Sequence, residues 1–390
     1  MRAFLALLAG LWATAATATE ANTLSVQVNY LRVERPAPPT LSNLEPIPDD
    51  LGIAGAQLGL ADNTTTGSFL GQTYALDVVS VPEGESPLEA ARSALAASPY
   101  LVLDAPAEAL TAIADMPEAQ GALLFNATAE DNSLRSEGCR ANLLHTAASL
   151  SMRSDALMQF FASRRWATLA LVEGPRPEDA AFAAALRASA TKFGLRIEAE
   201  KSWAFDADMR RNASAEVPLF TQELGEHDAL LVADETHDFG RYIAFNTWLP
   251  RPVAGSEGLV PLAWSPVIEQ WGAAQLQSRF TEAAGRPMAS EDYAAWAAIR
   301  TLGEAVTRTG SADPATLRSY VLGDNFELAG FKGRPMSFRP WNGQLRQPIA
   351  LAQPRALVAS APLEGFLHQV NELDTLGIDA PESACTAFGE

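Results

Sequence analysis

Two segments of this chain, Ala167-Thr-Leu-Ala-Leu-Val-Glu173 and Asp228-Ala-Leu-Leu-Val-Ala-Asp234, run apolar almost without interruption between their polar ends. A strand with one wet face alternates apolar and polar residues, whereas a strand covered on both faces does not. Such runs therefore belong in a parallel sheet flanked by helices. Short runs of this kind alternate with helical stretches over most of the sequence. A first series places strands at 24–33, 74–81, 100–103, 122–126 and 141–146, between helices at 51–62, 88–97, 108–116 and 151–165. A second series places strands at 167–172, 195–202, 229–233 and 259–264, between helices at 177–193, 217–224 and 239–248.

Local chemistry supports individual boundaries. Ser86-Pro87 is a helix start, with a hydroxyl cap followed by proline at the first helical position. Five prolines between residues 34 and 50 bar a helix before Asp49. From 267 to 320 the pattern is helical, with Trp271, Leu276, Phe280, Tyr293, Trp296, Ile299, Leu302 and Val306 spaced for core packing, and strands return at 326–338 and 347–352. The order implies an α/β protein whose chain builds one lobe, crosses to a second, returns and crosses again.

Residues 1–18 have the form of a signal peptide: Arg2, an apolar run from Ala3 to Trp12, then small residues ending in Ala16-Thr17-Ala18. The run is about half the length a membrane span requires. Export places Cys139 and Cys385 in an oxidising compartment, where a lone pair is expected to form a disulfide. With 28 Lys and Arg against 47 Asp and Glu, the formal charge of −19 repels phosphate backbones, so no nucleic-acid partner is expected.

Ligands of open parallel sheets sit beyond the carboxyl ends of the strands. The candidates there are Tyr30, Asp104, Asn126 with Thr128, His145, Glu173, Asp234 with Glu235, and Trp264. No nucleotide-binding glycine loop and no G-x-S-x-G elbow accompanies them, so neither catalysis nor a cofactor is indicated. The string Asp234-Glu-Thr-His237-Asp238 has two readings. Its carboxylates and imidazole suit a ligand or a divalent metal, and they equally suit a helix N-terminal cap. Asn63, Asn126 and Asn212 each begin a glycosylation-like tripeptide.

Several strings carry a family likeness. Phe125-Asn-Ala-Thr128 with Asn142-Leu-Leu-His-Thr-Ala-Ala148, and Gly330-Phe-Lys-Gly333 with Met336-Ser-Phe338 and Pro340-Trp-Asn-Gly343, resemble the type I periplasmic solute-binding proteins of ABC importers, in the leucine/isoleucine/valine-binding branch. The resemblance implies two Rossmann-like lobes with parallel sheets joined by a three-crossing hinge, closing over a small molecule in the periplasm. Its implied partner is an ABC transporter permease in the inner membrane. On this pattern the lobes comprise 22–143 plus 266–326, and 144–265 plus 327–390. Cys139-Arg-Ala-Asn-Leu-Leu-His-Thr-Ala, Tyr293-Ala-Ala-Trp-Ala-Ala and Leu376-Gly-Ile-Asp-Ala-Pro-Glu-Ser-Ala-Cys385 are similar to a subgroup associated with PQQ-dependent alcohol catabolism. Thr128 matches a family contact position. Asp104-Ala-Pro-Ala stands where amino-acid binders place hydroxyl residues for the α-carboxylate, so a neutral alcohol, an alcohol-derived metabolite or a cationic ligand suits the site better. The alternatives are an exported metal- or cofactor-handling accessory protein or enzyme built on His237 with Asp234 and Asp238, and a ligand sensor docking to a membrane receptor.

Overall fold

The computed structural model describes residues 23–36, 46–203 and 212–389. The leader expected at 1–18 lies outside them. Strands β1 (Leu24–Val33), β2 (Gln72–Val81), β3 (Tyr100–Asp104), β4 (Leu123–Asn126) and β5 (Leu143–His145) form one sheet in the order β2-β1-β3-β4-β5, parallel throughout. Strands β6 (Thr168–Glu173), β7 (Arg196–Ser202), β8 (Ala229–Ala233) and β9 (Val253–Gly255) form a second parallel sheet, β7-β6-β8-β9. The protein is thus α/β with two parallel-sheet lobes, and the two runs that open the sequence argument are the central strands β6 and β8. Strand β9 escaped the sequence reading because three residues show no period.

A third, antiparallel sheet joins β10 (Val260–Leu262), β11 (Ile349–Gln353) and β12 (Ala356–Ala361). The 259–264 segment, expected as the last strand of the second series, is therefore β10 in this separate sheet. Pro261 lacks a donor and is tolerated because β10 is an edge strand.

Helices cover both faces of each parallel sheet. On the first sheet, α1 (Ile53–Gly67) packs on one face, and α2 (Leu88–Ala97) and α3 (Ala107–Ala114) pack on the other. On the second, α4 (Leu150–Arg164) and α5 (Pro177–Lys192) lie opposite α6 (Ala213–Gln222) and α7 (Gly240–Ile243). Helix α7 is one turn, where a helix over 239–248 was expected. The side chains of Asn246 and Thr247 bond local carbonyls at 2.8 and 2.7 Å, offering the backbone an alternative to continuing the helix.

The helical stretch after 267 becomes α8 (Ala273–Ala284), α9 (Ser290–Thr309) and α10 (Pro314–Val321), and all three fold back onto the first sheet beside α1. Close approach of α1 and α9 explains two glycines: a Cβ on Gly55 would meet the Asp292 carbonyl oxygen at 1.9 Å, and one on Gly303 would meet Asn63 at 2.1 Å. Asn63 is buried there, its amide bonded to the Ile299 carbonyl at 2.7 Å, and the helix runs five residues past its expected end at Asp62. Leu328, Met336, Phe338 and Leu345 also belong to the first core. On β11, Ile349 and Leu351 face the second core and Ala350 the first.

The expected disulfide is present between Cys139 and Cys385, with Cα atoms 5.6 Å apart. Upstream of it, Asp374 is 2% exposed and accepts from Arg339 Nε at 2.9 Å and from Arg346 Nε at 2.7 Å. Arg339 also donates to the carbonyls of Leu373 at 3.2 Å and Ile378 at 3.1 Å. Removing the one acid between two buried guanidinium groups strands both charges, and loss of one partner from such a pair costs about 3–5 kcal/mol. Asp374→Ala is expected to lower unfolding stability by that amount, read from the urea midpoint; an unchanged midpoint refutes it.

Candidate ligand-binding cleft

A cavity of about 810 Å³ opens between the lobes. Its first-lobe wall comes from the β4 loop, with Thr128 and Glu130, and from the first turn of α9, with Ser290 and Glu291. Its second-lobe wall comes from Arg153 on α4, from Glu178 on α5, and from Glu235, His237 and Ser256 beyond β8 and β9. Residues 260–264, on the way back to the first lobe, close one side.

Arg153 joins the two walls. Ser149 caps α4 by accepting from the Met152 amide at 3.2 Å, and Arg153 follows one turn in. Its guanidinium holds Glu235 of the second lobe in a two-point bond at 2.6 and 3.1 Å, and also holds Glu130 of the first lobe. Ser256 Oγ donates to Glu235 at 2.7 Å. Burial pushes Glu235 upward, but Arg153 and Ser256 outweigh it and keep the carboxyl below its ordinary value. Glu130 goes the other way: burial, with Glu235 and Glu291 nearby, overrides Arg153 and pushes it up to about 7.

The other cavity cations are committed as well. Arg286 donates to Asp50 at 2.8 Å and to both oxygens of Asp292 at 2.7 and 2.9 Å. Arg35 bonds Asp104 at 3.1 Å. Glu291 is the exception among the half-buried acids of the cavity: it has no ion-pair partner among the described residues, and burial together with Asp292 and Asp104 raises its pKa.

Of the residues selected from sequence, Thr128, Glu235 and Trp264 line this cavity. Trp264 is fully buried and stacks on Tyr293 with ring centroids 4.8 Å apart, its indole N–H donating to Gln277 at 3.0 Å. The remaining six are not among the residues that line the cavity. Asp104 is neutralised by Arg32 at 3.0 Å and by Arg35, and accepts from the Tyr30 hydroxyl at 3.3 Å. Asn126 holds its own loop through the amides of Thr128 and Ala129 at 3.1 and 2.8 Å, and its amide group meets His145 Nδ1 at 3.1 Å. Burial, with Arg135 beside it, drives the His145 pKa well below the ordinary imidazole value. Glu173 is paired with Arg187. Asp234 accepts from the backbone amides of Asp238, Phe239 and Gly240 at 3.0, 2.8 and 2.6 Å, so its carboxylate caps α7.

That cap commits the Asp234 carboxylate to backbone amides, as the capping reading of 234–238 expects. His237 bonds Glu257 at 3.0 Å, and among the described residues no group of three or more His, Cys, Asp or Glu is placed to hold a metal ion. Asn126, at the end of β4, is fully buried, so its glycosylation-like tripeptide begins at an inaccessible amide. Sequence reasoning missed Glu130, Arg153 and Glu291. The available signals were a capped helix start at Ser149 directly after the first crossing, and acids at the start of α9.

A scan against protein-family models and a search of curated proteins give no match. Solved structures do match. A branched chain amino acid ABC transporter periplasmic ligand-binding protein from Burkholderia xenovorans superposes with TM-score 0.71 at 16% identity, covering 93% of this chain and 100% of that one. An ABC transporter substrate-binding protein from Desulfitobacterium hafniense in complex with Leu gives TM-score 0.61 at 14% identity, covering 85% and 99%. A solute binding protein of an ABC transporter from R. palustris in complex with benzoate gives TM-score 0.61 at 13% identity, covering 93% and 99%. The likeness establishes the fold: two parallel α/β lobes arranged as in periplasmic ligand-binding proteins.

The Glu130 shift makes a pH test possible. An acid whose folded pKa is raised contributes stability that is present below its unfolded value and lost as pH rises through the folded one. The thermal midpoint of the protein, relative to Glu130→Gln, is expected to fall between about pH 4.5 and about 7. Equal pH slopes in the two proteins contradict the assignment.

Proposed function

We propose that this protein is the periplasmic substrate-binding component of an ABC-type importer, closing its two lobes over a small organic ligand and delivering it to a permease in the inner membrane. The observation that carries the reading is the 810 Å³ cavity walled by both lobes, because a ligand touching both walls favours the closed arrangement. Binding without catalysis fits a cavity whose cations are spent on structural acids. Thr128, Glu235 and Trp264 act at the cavity surface together with Glu130, Arg153 and Glu291, while Tyr30, Asp104, Asn126, His145, Glu173 and Asp234 support the walls from behind.

The ligand in this reading is neutral or cationic. Leucine and benzoate, bound by two of the structural neighbours, each carry a carboxylate. Here Arg35, Arg153 and Arg286 are already paired with acids, and the half-buried Glu291 is not paired. An anion would have to displace an internal carboxylate, whereas an ammonium or a hydroxyl donor meets a waiting acceptor. The role in PQQ-dependent alcohol catabolism belongs to the same proposal and rests on the resembling strings around Cys139, Tyr293 and Cys385.

Thermal-shift screening with alcohols, amines, amino acids and carboxylates tests it. A ligand at about 100 times its Kd is expected to add ~2.7 kcal/mol. Glu291→Gln is expected to weaken the best alcohol or amine by roughly tenfold, a loss of about 1.4 kcal/mol. Stabilisation by none of these classes overturns the binding reading, and stabilisation by carboxylates alone overturns the ligand class.

A further inference from the structure

The C-terminal tail is attached to both lobes. At its second-lobe end, the Thr375 hydroxyl accepts from Gln159 of α4 at 3.2 Å, and Leu376 is part of the second core. The Gly377 amide donates to the buried Asp155 of α4 at 2.8 Å, and Lys192 of α5 donates to the Gly377 carbonyl at 2.9 Å and to Glu382 at 3.2 Å. At its first-lobe end, Ser383 Oγ donates to the Arg135 carbonyl at 3.1 Å, the Ala384 amide donates to Ser136 Oγ at 3.0 Å, and Cys385 is bonded to Cys139. Phe388 then packs against the first core, under the Arg318 guanidinium at 5.6 Å.

We infer that residues 377–385 form a covalently anchored strap across the hinge that narrows the range of orientations the two lobes can take. The backbone already crosses between lobes near 146–149, near 263–272 and at β11, and the strap is a fourth connection. It is short: a tether of this length reaches at most about 28 Å when fully extended. It is also not extended, because Ala380–Glu382 form a turn capped by Asp379. Hinge rotation that separates its anchors must first break the bonds of Arg339 and Trp341 to the Ile378 carbonyl, and then uncoil this turn or break the Asp155 and Lys192 contacts, because the disulfide end does not yield. The mechanical constraint holds whatever ligand the cleft takes.

Spin labels at Asp77→Cys on the outer strand β2 and Glu198→Cys on the outer strand β7, both exposed positions, report the lobe-to-lobe distance. The full chain, without ligand, is expected to give a narrower distance distribution than the same chain with Cys139→Ser and Cys385→Ser. An equal width in the two proteins, both folded by circular dichroism, overturns the inference. Should the serine pair not fold, Lys192→Ala combined with Asp155→Ala removes the side-chain bonds that hold Gly377 and Glu382 at the opposite end, with the disulfide intact. Broadening in that variant supports the strap, and an unchanged width overturns it.

Discussion

Arg153 carries the interaction on which cleft and lobes both depend. It is 8% exposed, and its single guanidinium binds an acid from each lobe while its Nε donates to the Pro261 carbonyl at 3.3 Å on the strand leading back. A buried charge is tolerated only when such bonds replace its hydration. Removing either carboxylate therefore disturbs the other partner and the strand as well. The lobes meet in the orientation that lets one guanidinium satisfy all three groups, and the cavity is the space left around them.

Behind this pair the crossings are filled with polar groups that satisfy one another. Arg135, 1% exposed, donates to the Gln344 side chain at 2.8 Å and to the carbonyls of Ala129 and Ala147 at 2.8 and 3.0 Å. Gln344 donates in turn to the Ala147 carbonyl at 3.0 Å, and Gln347 to the Thr146 carbonyl at 2.9 Å. Crossing segments expose backbone donors and acceptors that no sheet pairs, and these side chains supply the partners. Asn126 joins this network through the Ala129 carbonyl, and the His145 carbonyl accepts from Gln344 at 3.3 Å.

Much of the fold was legible because burial leaves a direct trace in residue type. Strands β6 and β8 had to be apolar on both faces, and Ser86-Pro87 marked the start of α2. What escaped were the elements whose identity depends on a partner: β9, three residues long, β10, which reads as a continuation of the parallel series but pairs with β11 some 90 residues later, and the one-turn α7. The candidate site was legible to a lesser degree. Of the strand-end residues, Thr128, Glu235 and Trp264 line the cavity. Position at a strand end could not separate an acid that faces the cavity from one that caps a helix, as Asp234 does one residue before Glu235.

The sequence by itself determined the α/β class, the two series of strands and helices, and the pairing of the only two cysteines, since apolar runs, caps and a lone cysteine pair act through local or compositional chemistry. Tertiary structure alone decided which charges are spent. The acid Asp104 is matched by Arg32 and Arg35 near the same sheet end, Arg286 by acids from the turn before α1 and from α9, and Glu291 by none of the described residues. Charge pairing depends on distances of a few ångströms between segments far apart in the chain, and residue type carries no record of that distance.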